Sequence, residues 1–394
     1  MACLDVCPKD AIRIEDAMTH YNAVIEETNC VNCNACHKVC PNNHPIQMVK
    51  PMKWYQGWAK QESIRMQASS GGLASAIAYS FVEDGGEVCA CVFKQGKFIF
   101  QCIDNDKELN RIAGSKYVKS NPIGIYPIIR QKLEENKKIL FIGLPCQVAA
   151  LKRFLNVDLQ KNLYTIDLIC HGTPSPKLLE LFLQQYGYSL QKLKNIKFRE
   201  KSSLSITEDA ERIEPSGIQD RYMMGFLEGI FYTDNCYHCA YATLKRTGDI
   251  TLGDSWGSSL PKEEKVKGIS LILIQNSKGE YLLERAEVHK EDVDLNQAVK
   301  SNAQLQKPVK KTERRKHFFC SIQSGKGFNA TVFRYCFKRG LKQYIKKGMW
   351  KLDSGGVMRG CYGISVVKRT EESKENAGNV QKCGIKKNNK EFRV

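Results

Sequence analysis

Cys30, Cys33, Cys36 and Cys40, with Pro41 directly after the last, carry the clearest chemistry in this 394-residue chain. The C-x2-C-x2-C-x3-C-P run is the spacing with which bacterial ferredoxins hold 4Fe-4S clusters. Three thiolates at this short interval wrap one face of a cubane, and the fourth turns towards a neighbouring cluster. A zinc site prefers two separated C-x2-C pairs, so the third cysteine at the same interval favours iron–sulfur. Upstream, Cys3, Cys7 and Pro8 repeat the frame of Cys36, Cys40 and Pro41, as an internal duplication would. In two-cluster ferredoxins the last cysteine of each motif serves the other motif's cluster. That rule places Cys7 with Cys30, Cys33 and Cys36 in one complete four-thiolate site. Cys40 and Cys3 fall to a second site, whose two other ligands are expected upstream of Met1 or have been lost.

A second cysteine set is spread through the chain. Two mostly apolar stretches, 139–142 and 164–169, read as buried parallel strands. Cys146 follows the first and Cys170 ends the second, so parallel strands would bring both thiols to one carboxyl edge, where ligands bind in open α/β folds. Cys236 and Cys239 add a metal-spaced pair, and the four together make another four-thiolate set. The competing reading, a buried apolar thiol at each position, is common for a single cysteine. His171 and His238 flank the set and are expected to lie outside the coordination that four thiols already complete. Asp167, within the second strand, is expected to cap a loop amide rather than to act in catalysis.

The elements that must position these residues form an α/β pattern. Strands are expected at 87–93, 97–103, 138–142, 163–169, 195–199, 250–252 and 269–275. Helices are expected at 73–82, 123–136, 147–155, 175–186, 222–229 and 279–287. The fold expected is a small ferredoxin-like (α+β) module over 1–48, with strands near 12–14 and 24–26, and a connector over 49–66. An α/β domain with a mostly parallel sheet follows over 67–300, then a basic, partly disordered helical tail over 301–394. Ser70, Gly71 and Gly72 open the helix at 73, where small residues let N–H groups approach a phosphate; a plain helix cap is the alternative. The turn from Arg246 to Gly257, with Trp256, suits either a flat ligand or a structural hairpin.

Charge separates body from tail. Of 60 Lys and Arg and 42 Asp and Glu, residues 301–394 hold 23 and 6, or +17, leaving +1 of the net +18 for the rest. No run is long enough for a membrane-spanning helix and no signal peptide is visible, so the 17 cysteines are expected as reduced, metal-holding thiols in a cytoplasm. In the tail, Phe333, Phe337, Leu341, Tyr344, Ile345 and Met349 recur at helical steps among basic residues. That stripe fits a docked helix, or an interfacial one on the inner face of an anionic membrane.

Taken in order, residues 69–72, 114–117, 143–147, 167–172, the pair Cys236 and Cys239, and 248–257 resemble the coenzyme F420 hydrogenase/dehydrogenase beta-subunit family, in the form with an N-terminal ferredoxin domain. The resemblance covers roughly residues 1–300. It implies an iron–sulfur flavoprotein, with FAD in the α/β domain and a 4Fe-4S cluster beside it on Cys146, Cys170, Cys236 and Cys239. Ser70, Gly71 and Gly72 match one FAD-contacting motif of the family, and Ser115, Lys116 and Tyr117 another. Relatives often carry Gly-Trp shortly after the element matched by Phe198 to Lys201; here Ser202 and Ser203 follow, so the acceptor is not carried over. Some members use coenzyme F420, and many resemble proteins of surface-polysaccharide assembly.

Two functions follow. The leading one is an electron-transfer oxidoreductase that takes electrons from a ferredoxin-like donor or another redox subunit, passes them through two 4Fe-4S clusters to FAD, and delivers them to a small-molecule acceptor. The alternative is a non-catalytic, metal-stapled binding protein whose basic tail grips membrane or nucleic acid. Nucleic acid is the weaker partner, because the body has no basic surface signature and no recognised nucleic-acid motif.

Overall fold

The computed structural model describes residues 1–215 and 219–342. Apolar strands alternating with amphipathic helices require a sheet covered on both faces. The strands are β1 (Ile12–Asp16), β2 (Tyr21–Ile25), β3 (Lys53–Ala59), β4 (Glu87–Lys94), β5 (Lys97–Ile103), β6 (Ile139–Gly143), β7 (Leu163–Leu168), β8 (Thr207–Glu208), β9 (Glu211–Arg212), β10 (Ile250–Asp254), β11 (Ser270–Ile274) and β12 (Val288–Glu291). Eight of them form one sheet in the order β12-β3-β11-β10-β7-β6-β4-β5. Its centre, β4, β6, β7 and β10, is parallel. The flanks are antiparallel. The fold is therefore mixed α/β with the expected parallel character at the sheet centre. Only two residues separate β4 from β5, and so short a loop permits only a hairpin.

Every residue of β6 and β11 is buried, as strands covered on both faces must be. Helices Leu73–Glu83 and Ser277–Arg285 cover one face, packing Ile77, Phe81 and Leu282 against Val88, Leu140 and Ile166. Helices Ile125–Glu134 and Pro145–Phe154 cover the other, with Ile129, Val148 and Leu151 against Cys89 and Phe141. A third, aromatic core joins helices Pro176–Gln184, Arg221–Leu227, Glu313–Gln323 and Phe328–Tyr335 around Phe182, Tyr222, Phe231, Phe318 and Phe328. The segment 301–342 thus packs in the same unit as the sheet.

The structure departs from the sequence reading at four places. The connector 49–66 contains β3, seated between β11 and β12, where Trp54, Tyr55 and Trp58 supply the β propensity. No strand forms at 195–199; Lys197 makes one isolated bridge to Thr207, while Ile196 and Phe198 bury in the aromatic core. Cys89 and Cys102 form a disulfide rather than free thiols, because the antiparallel register sets them directly opposite, with Cα atoms 4.0 Å apart. Helix Phe328–Tyr335 buries Phe328, Thr331 and Val332, leaving Phe337 and Leu341 of the expected stripe 52% and 47% exposed. Tyr344, Ile345 and Met349 lie outside the described residues. No helix of the described residues is long and apolar enough to cross a membrane.

One buried ion pair joins the parts. The Asp167 carboxylate, near the end of β7, accepts from Arg246 Nε at 3.2 Å and Nη2 at 2.9 Å. Its other oxygen accepts from the amides of Thr247 and Gly248 and from the Thr247 hydroxyl, each at 2.9 Å. The expectation of a carboxylate that caps loop amides holds. Burial alone raises this carboxyl's pKa, but Arg246 and the other donors outweigh it and hold it below the ordinary 3.8. Arg246 also donates to the carbonyls of Tyr241, Thr243 and Leu168. Its own backbone pairs with Val49.

Removing one partner leaves a buried charge without compensation, at a cost of about 3–5 kcal/mol. Arg246→Met should therefore lower the urea midpoint strongly, followed by tryptophan fluorescence, while the double variant Asp167→Leu/Arg246→Met should lose less. Asp167 has a depressed folded pKa, so its contribution is complete above the unfolded value of 3.8 and disappears as pH falls through the lower folded value. The gap between wild type and Arg246→Met should accordingly narrow in acid.

Candidate functional site

Cys7, Cys30, Cys33 and Cys36 line one small cavity of about 90 Å³ together with Pro8, Ile12 and Val31; Cys40 is not in its wall. Asn32 and Asn34 have φ of 54° and 58°, left-handed turns that asparagine tolerates and that bend the chain between closely spaced thiols. Backbone N–H groups point at the sulfurs, Ala11 to Cys7 at 3.3 Å and Asn32 to Cys30 at 3.4 Å. Burial raises the Cys3 thiol, and the nearby Cys40 adds to the rise.

The strand-end set is assembled by β6 and β7. Their parallel register pairs Gly143 with Asp167, so the chain leaves both strands at the same edge. Cys146 falls in the first turn of helix Pro145–Phe154, and Cys170 two residues beyond β7. Cys236 and Cys239 come from the turn around Asp234–His238. Burial raises the thiol pKa of Cys146 to about 11, with Cys239 and Cys236 near enough to contribute. Burial raises Cys170 further, aided by Cys236, Cys146 and Cys239. Cys146 keeps open surface. Cys236 Sγ receives the Thr173 N–H at 3.4 Å, with the Thr173 and Thr233 hydroxyls each 3.6 Å away.

Among the described residues no three His, Cys, Asp or Glu side chains converge tightly enough for a single metal ion. A four-iron cluster is wider than an ion, and four thiolates are the donor set it takes. Its iron would also supply the positive charge that these buried thiols need to ionise. In chemistry, if not in any measured spacing, four thiols match the donors of such a cluster.

A larger cavity of about 560 Å³ opens at the carboxyl ends of the parallel strands. Ser70, Gly72, Ser115, Lys116 and Tyr117 line it, and Gly71 does not. At Gly71 a Cβ would stand 2.5 Å from the Gly57 carbonyl, so this glycine serves the close approach to β3. Gly72, at φ +84°, caps helix Leu73–Glu83, whose first-turn residues Leu73, Ala74 and Ser75 form cavity wall. The Ser115 N–H donates to Ser69 Oγ at 2.8 Å, tying the two expected motifs together. Lys116 Nζ donates to the Ile112 and Ala113 carbonyls at 2.8 and 3.1 Å, so its ammonium braces its own loop; burial lowers its pKa. Cys170 and His171 line the same cavity, which therefore shares a wall with the strand-end set. His171 Nδ1 lies 2.8 Å from Gln304 Nε2. His238 is exposed.

Several cavity residues escaped the sequence reading. Arg199 is paired bidentately with Asp254 at 2.6 and 3.0 Å, under the Trp256 ring, 5.5 Å from its centroid. Asn302 and Gln304 come from the segment assigned to the tail. Asp254 and Trp256 stood in the Gly- and Asp-rich turn already singled out, and Arg199 in the family-matched element from Phe198 to Lys201; nothing in the local pattern points to Gln304.

Comparison with known proteins places these features. A 4Fe-4S dicluster domain matches residues 1–44. The N-terminal domain of the coenzyme F420 hydrogenase/dehydrogenase beta subunit matches residues 54–124, and the C-terminal domain of the same subunit matches 136–300. Among solved structures, the chain is similar to one from the F420-reducing NiFe hydrogenase complex of Methanosarcina barkeri, studied by xenon derivatization. Identity is 16% and the TM-score 0.48, over 71% of this chain and 96% of that one. Among curated proteins none matches. With both domains of the subunit matched in order behind a dicluster domain, the chain belongs to the coenzyme F420 hydrogenase/dehydrogenase beta-subunit family.

Proposed function

We propose that this chain is an iron–sulfur flavoprotein oxidoreductase that relays electrons from a ferredoxin-like donor or another redox subunit through 4Fe-4S clusters to FAD, and from there to a small-molecule acceptor. The observation that carries this reading is the shared wall: Cys170 belongs both to the strand-end thiol set and to the 560 Å³ cavity. A volume of that size suits an organic cofactor. When bound, the clusters move single electrons, and FAD collects two and passes on a hydride.

The roles of the residues follow from their surroundings. Cys7, Cys30, Cys33 and Cys36 would hold an outer cluster, and Cys146, Cys170, Cys236 and Cys239 an inner one. Leu73, Ala74 and Ser75 have no intrahelical acceptors for their amides at the start of an 11-residue helix, a place suited to a flavin pyrophosphate. Ser70, Gly72, Ser115 and Tyr117 line the same end, whereas Gly71 and Lys116 shape it through the backbone contacts described above. Arg199, Asp254, Trp256 and His171 are left to meet the acceptor. Cys40, near Cys3, belongs to neither complete set.

Anaerobically purified protein should contain about eight iron atoms per chain, from two four-iron clusters, and about one FAD. Cys146→Ser or Cys239→Ser should remove about half the iron and perturb the flavin spectrum; unchanged iron and flavin in both variants would remove the strand-end site. The outer site has its own test. Cys7→Ser should cost a whole cluster, and Cys40→Ser should leave iron nearly intact; equal losses would overturn the crossed assignment. A peripheral membrane role for the tail draws on exposed Phe337 and Leu341 beside basic residues. Co-sedimentation with liposomes should rise with anionic lipid, fall with salt, and vanish on truncation after Gln323; binding that survives the truncation would exclude the tail as anchor.

A further inference from the structure

Lys119 stands between the N-terminal hairpin and the inner thiol set. Its Nζ donates to Thr233 Oγ1 at 3.1 Å and lies 5.9 Å from the centroid of the Tyr21 ring on β2. Its backbone N–H donates to the Pro174 carbonyl, which anchors the base of the side chain. Thr233 Oγ1 is 3.6 Å from Cys236 Sγ and 3.1 Å from the Thr173 carbonyl. Having accepted from the ammonium, that hydroxyl turns its own proton towards the sulfur or the neighbouring carbonyl.

Among the described residues no carboxylate forms an ion pair with Lys119. Arg246, a second cation near the set, is bound to Asp167. The charge of Lys119 is therefore left to act on the Cys236 sulfur through the Thr233 hydroxyl.

We propose that Lys119 tunes the reduction potential of the site formed by Cys146, Cys170, Cys236 and Cys239, through its fixed positive charge and the hydroxyl of Thr233. This rests on the reading of that set as a 4Fe-4S site. On reduction such a site takes up one electron, with no bond made or broken and no proton transferred, so its negative charge grows by one. A cation held nearby in protein stabilises the more negative state. Net charge and hydrogen bonds to the sulfurs are the levers that set cluster potentials. Lys119 is thus a positioning and tuning residue: it raises the potential so that the inner site draws electrons inward from the outer one.

The test is a redox titration of the anaerobically purified full-length chain, with dithionite as electron donor and EPR as readout. The inner site's signal is the one lost in Cys239→Ser. Lys119→Gln should retain iron and FAD but lower the inner potential, reducing the ratio of reduced to oxidised cluster about tenfold at fixed potential, or about 59 mV for one electron. The outer signal should stay in place, and Lys119→Arg should remain close to wild type. If Lys119→Gln leaves the inner potential unmoved, or Lys119→Arg shifts it as far as Gln does, the tuning role falls while the site stands. If Cys239→Ser removes no signal, the site reading falls and takes the tuning role with it.

Discussion

The buried pair of Asp167 and Arg246 is the constraint on which the arrangement depends. A carboxylate at the end of a central strand has no water to solvate it, and its surroundings must supply every partner. They do so by bringing in the chain that precedes β10: the guanidinium of Arg246 and the amides of Thr247 and Gly248. The same guanidinium gathers the carbonyls of Tyr241 and Thr243, just after Cys239, and of Leu168, just before Cys170. Through its backbone bridge to Val49 it also fastens the chain leaving the N-terminal module. One ion pair thus sets the spacing between the two cysteine-bearing loops and holds the module beside them.

A second, polar interface completes that coupling. The β1–β2 turn is clasped by the start of helix Pro176–Gln184, by Asp234 and by helix Glu313–Gln323. Ser175 Oγ donates to Asp16, Lys177 Nζ to the Asp16 carbonyl, and Arg315 to the Thr19 carbonyl. The Asp234 N–H also reaches the Thr19 carbonyl. These bonds are individually modest, but they converge on one hairpin from three separate stretches of chain. The distance between the outer and inner thiol sets is therefore fixed by structure and does not depend on a flexible linker. Electron transfer through fixed sites needs this kind of constancy.

Sheet topology determines where the large cavity lies. The parallel strands β6, β7 and β10 all release their chains at one edge, and the hairpin partners β5 and β11 close the sides without covering that edge. Residues 301–304, next to Leu305 in its cluster with Leu271, Leu273 and Ala298, form part of the wall. The cavity is consequently shared among the sheet, the inner cysteine loops and a segment that composition alone assigns to a basic tail.

How much of this was legible in the sequence depends on the range of the interaction. The C-x2-C-x2-C-x3-C-P run is local: Cys7, Cys30, Cys33 and Cys36, which the duplicated frame groups, line one small cavity. The two apolar strands ending at cysteines were legible for the same reason, since a buried parallel strand has a recognisable pattern and leaves its sheet at a predictable edge. Strand β3 was missed because its polar and glycine positions interrupt the period, and its place is decided by partners more than 200 residues away, Leu273 and His289. The same holds for Arg199 with Asp254, for Gln304 with His171, and for Lys119 with Thr233, pairs that only the tertiary structure could decide. The sequence by itself determined which residue types could hold iron and in what groups. Folding decided which cations, hydroxyls and amides surround those groups, because such contacts arise from long-range packing and leave no period or spacing along the chain.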